Sequence, residues 1–188
     1  MKTIWLAVVM LFASVMARAQ GTISFGTGNL QAVTNGLTGD KVVAGNTFLV
    51  ALYYAPDGVT NESLLTQLGP TIGFAFPGVF GGGTLTTPTN TPPGGWAMFQ
   101  VKVWESAYGT TYDDALMAPA QNGRLALVGK SAILRVLTGN EFGFPVPGSL
   151  TGYGFRGMTL YPVPEPSTCV LALMGGIALC LAKRKVTT

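Results

Sequence analysis

Trp96 to Glu105 read WAMFQVKVWE, and this stretch decides the fold class. Side chains along a strand alternate between the two faces of its sheet. Ala97, Phe99, Val101 and Val103 fall on one parity while Gln100 and Lys102 fall on the other, which predicts a strand with one core face. Upstream, Thr47 to Ala55 (TFLVALYYA) is apolar on both parities, as expected of a strand buried on both sides. Pro56-Asp57-Gly58 closes it with turn chemistry, because proline presets φ and glycine accepts positive φ. Downstream, Ser131 to Thr138 alternates again, with Ala132, Leu134 and Val136 opposed to Arg135.

The segments between fit the same class. Thr22 to Gly26 (TISFG) predicts a short first strand, followed by a turn-rich stretch to Asn46. Ile72 to Phe80 predicts another, with Pro77 at an edge or bulge. Gly81-Gly82-Gly83 and then Thr84 to Gly95, with Pro88, Pro92 and Pro93, read as a loop or linker. Tyr112 to Met117 (YDDALM) suits one helical turn, with Asp113 and Asp114 favourably near its start. Leu150 to Leu160 reads as a last, glycine-rich strand. Six to eight short strands separated by Gly, Pro and Asn turns predict an all-β domain over residues 20–161. The expected architecture is an antiparallel β-sandwich of jelly-roll or immunoglobulin-like kind.

The two ends differ from the middle. Residues 1–19 read as a secretory signal peptide: Lys2 supplies the positive region, Ile4 to Met16 the apolar core, and Ala17-Arg18-Ala19 the cleavage site before Gln20. At the other end, in residues 162–188, Pro164-Glu165-Pro166 cannot lie in a helix interior. Thr168 to Ala182 then carries no charge, and Lys183-Arg184-Lys185 closes the run. These fifteen residues make about 22 Å of helix, short of a hydrocarbon core of about 30 Å, and snorkelling of the basic residues covers part of the difference. The basic cluster predicts a cytoplasmic end and a β domain outside.

The order of these three parts resembles the PEP-CTERM sorting signal of exported bacterial proteins. The matching residues are Pro164, Glu165, Pro166 and Ser167, then the apolar transmembrane helix, then the stop formed by Lys183, Arg184 and Lys185. The resemblance implies export through the Sec translocon, transient anchoring in the inner membrane, and removal of the tail by an exosortase, an integral-membrane cysteine transpeptidase. Release to the cell surface or extracellular matrix, and an association with exopolysaccharide and biofilm, follow from the same likeness. GTISF, FLVALYYAP and VKVWES with its YDDA turn are also similar to a recurring ectodomain type among such proteins. That type has no catalytic residues to transfer, and it implies the fold alone.

Charge and composition narrow the chemistry. The net charge of +3 includes Lys2, Arg18, Lys183, Arg184 and Lys185 at the ends. Between Gln20 and Pro166 six basic residues face eight acidic ones, a charge of −2. Phosphate recognition needs clustered Lys and Arg, so nucleic acid is not an expected partner. Both cysteines, Cys169 and Cys180, lie in the tail, and histidine is absent, so the exported domain folds by burial and hydrogen bonding without disulfides. Nucleophilic triads and zinc sites lack their usual ligands there.

Three candidates remain. Glu105 with Asp113 or Asp114 could in principle form a carboxylate pair of glycosidase type, which needs two carboxyls held about 5 to 10 Å apart, although solvated loop carboxylates are far commoner. Asp113 and Asp114 with nearby carbonyls offer oxygen ligands of the kind calcium takes. Tyr53, Tyr54, Trp96, Trp104 and Tyr108 are candidates for stacking on sugars, although packing usually explains strand aromatics. Gly152, Gly154 and Gly157 spell a dinucleotide fingerprint, but prolines follow where that site needs a helix. Gly129-Lys130-Ser131 resembles a P-loop ending whose upstream glycine is replaced by Arg124, and Asn61-Glu62-Ser63 spells a glycosylation acceptor. The expectation is a non-enzymatic exported protein with no catalytic, cofactor or metal residues, the alternative being a carbohydrate-binding module on extracellular polysaccharide.

Overall fold

The computed structural model describes residues 20–163. Among them, ten strands follow one another: β1 (Thr22–Gly26), β2 (Val33–Asn35), β3 (Gly45–Pro56), β4 (Thr66–Phe74), β5 (Gly81–Thr86), β6 (Trp96–Glu105), β7 (Leu127–Lys130), β8 (Leu134–Leu137), β9 (Gly148–Ser149) and β10 (Met158–Pro162). One short helix, α1 (Tyr112–Met117), lies between β6 and β7. The domain is all-β.

The two longest strands form its spine. β3 and β6 pair antiparallel from Phe48 opposite Glu105 to Pro56 opposite Ala97. β4 covers the free edge of β3. The other edge of β6 is shared: β8 lies along its first half, with Trp96 opposite Leu137, and β7 along its second, with Trp104 opposite Val128. β10 and then β2 extend this seven-stranded sheet beyond β7. A second sheet has the order β5-β1-β9. Six of these pairings are antiparallel, and two, β1 with β9 and β2 with β10, are parallel.

One apolar core spans both sheets. Ile23 and Phe25 of β1 join Val50 and Leu52 of β3 and Phe99, Val101 and Val103 of β6. Phe80 contacts three other rings, with centroids 5.1 Å from Phe25, 5.9 Å from Phe74 and 6.1 Å from Phe155. Dense burial of such rings is the main stabilising term in a domain without disulfides.

Several sequence expectations need correction. β6 is buried on both faces rather than one: Tyr108, Tyr112 and Ala115 pack around Trp104, Tyr53 and Tyr112 enclose Lys102, the Gln100 side-chain amide donates to the Ser131 carbonyl, and Leu65 packs with Met98. Gly81 to Thr86 is a strand and not a linker. A β-carbon on Gly82 would run into the Phe25 ring, so the glycine makes room for a core aromatic. The strand expected over Ile72 to Phe80 ends at Phe74; Pro77 and Gly78 then turn the chain, and the amides of Ala75 and Phe76 donate to the Val79 carbonyl. Ser131 to Thr138 contains only the four residues of β8 as strand, and β7 before it lacked a readable alternation. Leu150 to Leu160 begins as a turn in which Tyr153 and Phe155 amides both donate to the Leu150 carbonyl.

No helix among the described residues is long and apolar enough to cross a membrane. The cleavage residues Ala17 and Ala19, the motif Pro164, Glu165, Pro166 and Ser167, and the basic stop Lys183, Arg184 and Lys185 lie outside the described residues.

Candidate functional site

The outer face of the large sheet carries a lysine held in a tyrosine and carboxylate cleft. Alternation along β6 points Lys102 away from the main core, between Ala51 of β3 and Lys130 of β7. The small Ala51 side chain leaves space beside it, and Tyr53 stands on the same face of β3 two residues further on. α1 brings Tyr112 from above. Thr111 starts that helix with a capping box: its hydroxyl accepts from the Asp114 amide at 3.1 Å, and the Asp114 carboxylate accepts from the Thr111 amide at 3.2 Å. Glu62 arrives on a single helical turn, Glu62–Leu64, where the Asn61 side chain accepts from the Ser63 amide.

Lys102 Nζ lies 4.4 Å from the Tyr53 ring centroid, 5.0 Å from that of Tyr112 and 3.3 Å from Glu62 Oε1. Only 8% of its side chain is exposed. Such placement combines cation–π attraction with a salt bridge and limits the desolvation cost of the amine. The other Glu62 oxygen accepts from Lys130 Nζ at 2.6 Å. One carboxylate therefore bridges two lysines on adjacent strands.

Electrostatics sort the groups further. Burial pushes the Tyr112 hydroxyl up to about 12, helped by the charges of Glu62 and Asp113. Burial and then Asp113 raise Tyr53 as well. Burial alone would raise Glu62, but the hydrogen bonds and charges of Lys130 and Lys102 outweigh it and hold the carboxyl below its ordinary range. Both phenols thus remain neutral donors with intact ring faces at physiological pH. Tyr53, Glu62, Ser63, Lys102, Asp113 and the exposed Met117 line an open cleft of about 490 Å³. It offers hydrogen-bond donors and acceptors of both charges beside an aromatic face, which suits recognition of a polyhydroxylated ligand.

The sequence candidates divide around this cleft. Asp113 lines it. Glu105 is buried, paired with Arg124 at 3.2 Å and accepting from the Leu127 amide, and Asp114 is used in the cap, so neither joins Asp113 as a catalytic pair. Among the described residues no three acidic, His or Cys side chains gather as a metal site. Tyr54, Trp104 and Tyr108 are buried; the Trp104 indole donates to the Gly109 carbonyl and the Tyr108 hydroxyl to that of Arg124. The Arg135 guanidinium, held by Asp57 at 2.7 Å, covers the Trp96 ring at 4.3 Å. Among the described residues these flagged aromatics form no exposed row on the strand face, and of them Tyr53 reaches the cleft.

No motif or spacing in the sequence joins Lys102, Glu62 and Tyr112 as partners. Glu62 lies forty positions before Lys102, and the only local signal around it was the glycosylation spelling. Gly154, Gly157, Lys130 and Ser131, from the two nucleotide-like spellings, meet at another cleft of about 340 Å³. Strand β10 follows Gly157 where a dinucleotide site requires a helix. No family model, no curated protein and no solved structure matches the chain.

Proposed function

We propose that residues 20–163 are the exported, non-enzymatic domain of a surface or extracellular-matrix protein, with the two sheets forming a β-sandwich of jelly-roll or immunoglobulin-like kind. The Sec translocon exports it, and an exosortase takes the tail. The observation that carries this reading is the tail itself: Pro164-Glu165-Pro166-Ser167, an uncharged apolar run and Lys183-Arg184-Lys185 follow directly on the last strand. The intact mass of the mature protein from its host tests it. A chain running from Gln20 to near Pro166 is expected, and a mass retaining Lys183 to Thr188 would overturn the sorting.

A second reading gives the domain a ligand. The cleft of Tyr53, Glu62, Lys102 and Asp113 favours a carbohydrate, whose hydroxyls bond amines and carboxylates while its apolar ring face stacks on a phenol. Titration of the exported domain with extracellular polysaccharide, followed by calorimetry, should give saturable binding that Tyr53→Ala abolishes. Lys102→Met removes the central donor while Glu62 keeps its bond to Lys130, and a thermal midpoint measured beside the titration separates loss of binding from loss of folding. Absence of saturable binding in the unaltered domain sinks this second reading.

A further inference from the structure

The loop between β8 and β9 carries two phenylalanines in water. Phe142 is 91% exposed, Phe144 93% and Val146 66%. A folded domain seldom presents two bare aromatic rings on one short loop without a contact to make. The base of the loop is fixed: the Thr138 amide donates to the Gly95 carbonyl at 2.9 Å, and Gly139 exchanges backbone bonds with Thr22 at 2.8 and 2.9 Å.

That pairing also fixes what lies nearby. Thr22 begins β1, the first strand, and the Gly21 amide donates to the Thr91 carbonyl at 2.7 Å. The chain therefore enters the domain at the foot of the phenylalanine loop. Residues 17–21 span at most about 17 Å between the apolar stretch ending at Met16 and this point. The other end of the chain leaves elsewhere. β10 ends with Pro162 opposite Leu127, beside the Glu105 end of β6, whereas the loop springs from the Trp96 end. Ten strand residues put these poles about 30 Å apart.

We propose that Phe142, Phe144 and Val146 form a lipid-contacting tip that seats the domain on the bilayer while residues 1–19 are attached and membrane-held. The inference rests on the export-signal reading of those residues. A bilayer holding Ile4 to Met16 would lie within about 17 Å of the foot of this loop, and aromatic side chains partition well into the interface. Glu141 is the single charge on the tip, so the contact is apolar and does not depend on attraction to anionic headgroups. After cleavage behind Ala19, a chain held only by its C-terminal tail turns the same tip away from the membrane, toward the surrounding matrix.

Photo-crosslinking of the full chain tests this. A benzophenone side chain replaces Phe144, or Leu11 within the N-terminal stretch, or the exposed Leu64 on the flank of the domain. The protein is inserted into vesicles of phosphatidylethanolamine and phosphatidylglycerol, which contain no peptidase. Lipid adducts at positions 11 and 144, several-fold above position 64 and unchanged by high salt, are the expected result. Adducts at 11 without adducts at 144 overturn the tip while leaving the membrane-held N-terminus standing. No lipid adduct at 11 overturns the export-signal reading and the tip with it, and crosslinks from 144 to a second protein copy overturn the lipid assignment.

Discussion

Glu62 links two lysines from neighbouring strands, and its titration should be visible in the stability of the domain. Its folded pKa lies below the unfolded value, so its contribution is complete above the ordinary carboxylate range and is lost as pH falls through the folded value. Glu62→Gln should cost about 2 kcal/mol at neutral pH, between the values for exposed and buried pairs, and should flatten the acid limb of a urea-midpoint profile. Tyr112 has the opposite dependence. Its raised pKa keeps the phenol neutral in the fold, so this contribution is complete below about 10 and is lost as pH rises toward about 12. Tyr112→Phe should leave the neutral-pH midpoint nearly unchanged and weaken the alkaline loss, followed by denaturation at several alkaline pH values. Neither residue announced itself in the sequence. Lys102 sits on the polar parity of an alternating strand, which reads as solvent-facing, and the carboxylate and rings that enclose it come from distant segments.

Gly81 to Thr86 shows how an element can be hidden by its own packing. A run of glycines has no alternation to read, yet Gly82 lies against Phe25 because only hydrogen fits there, while a β-carbon at Gly81 meets nothing within 4 Å. Gly82→Ala should therefore destabilise by about 1–3 kcal/mol through overpacking, and Gly81→Ala should be neutral or slightly stabilising through the unfolded chain. Thermal midpoints of the two variants make the comparison. α1 was more legible, since acidic residues at the start of YDDALM mark a helix N-terminus. Its capping box makes the helix depend on Thr111, and Thr111→Ala should cost about 1 kcal/mol. The same change should reduce the near-ultraviolet circular dichroism arising where Trp104 and Tyr112 meet at 6.3 Å, because α1 holds Tyr112 over that face.

At the scale of the molecule, the all-β class was readable and strand order was not. Periodicity reports which face of a strand is apolar, but no local pattern pairs Thr34 with Thr159, whose hydroxyls lie 3.0 Å apart across 125 positions. The two parallel pairings, β1 with β9 and β2 with β10, tie the first strands to the last and close the domain around a core that both sheets share. Removing either sheet would expose the same Phe25, Phe80 and Phe155 cluster, so the sheets lack separate cores on which to unfold independently. Residues 20–163 should therefore unfold in one transition, with far- and near-ultraviolet dichroism coincident and a calorimetric enthalpy of about 100 kcal/mol near 60 °C. Reductant should not move the midpoint, because no cysteine lies between Gln20 and Val163. Two resolved transitions would mean that the small sheet holds its own core after all, against the ring contacts that Phe80 makes across the interior.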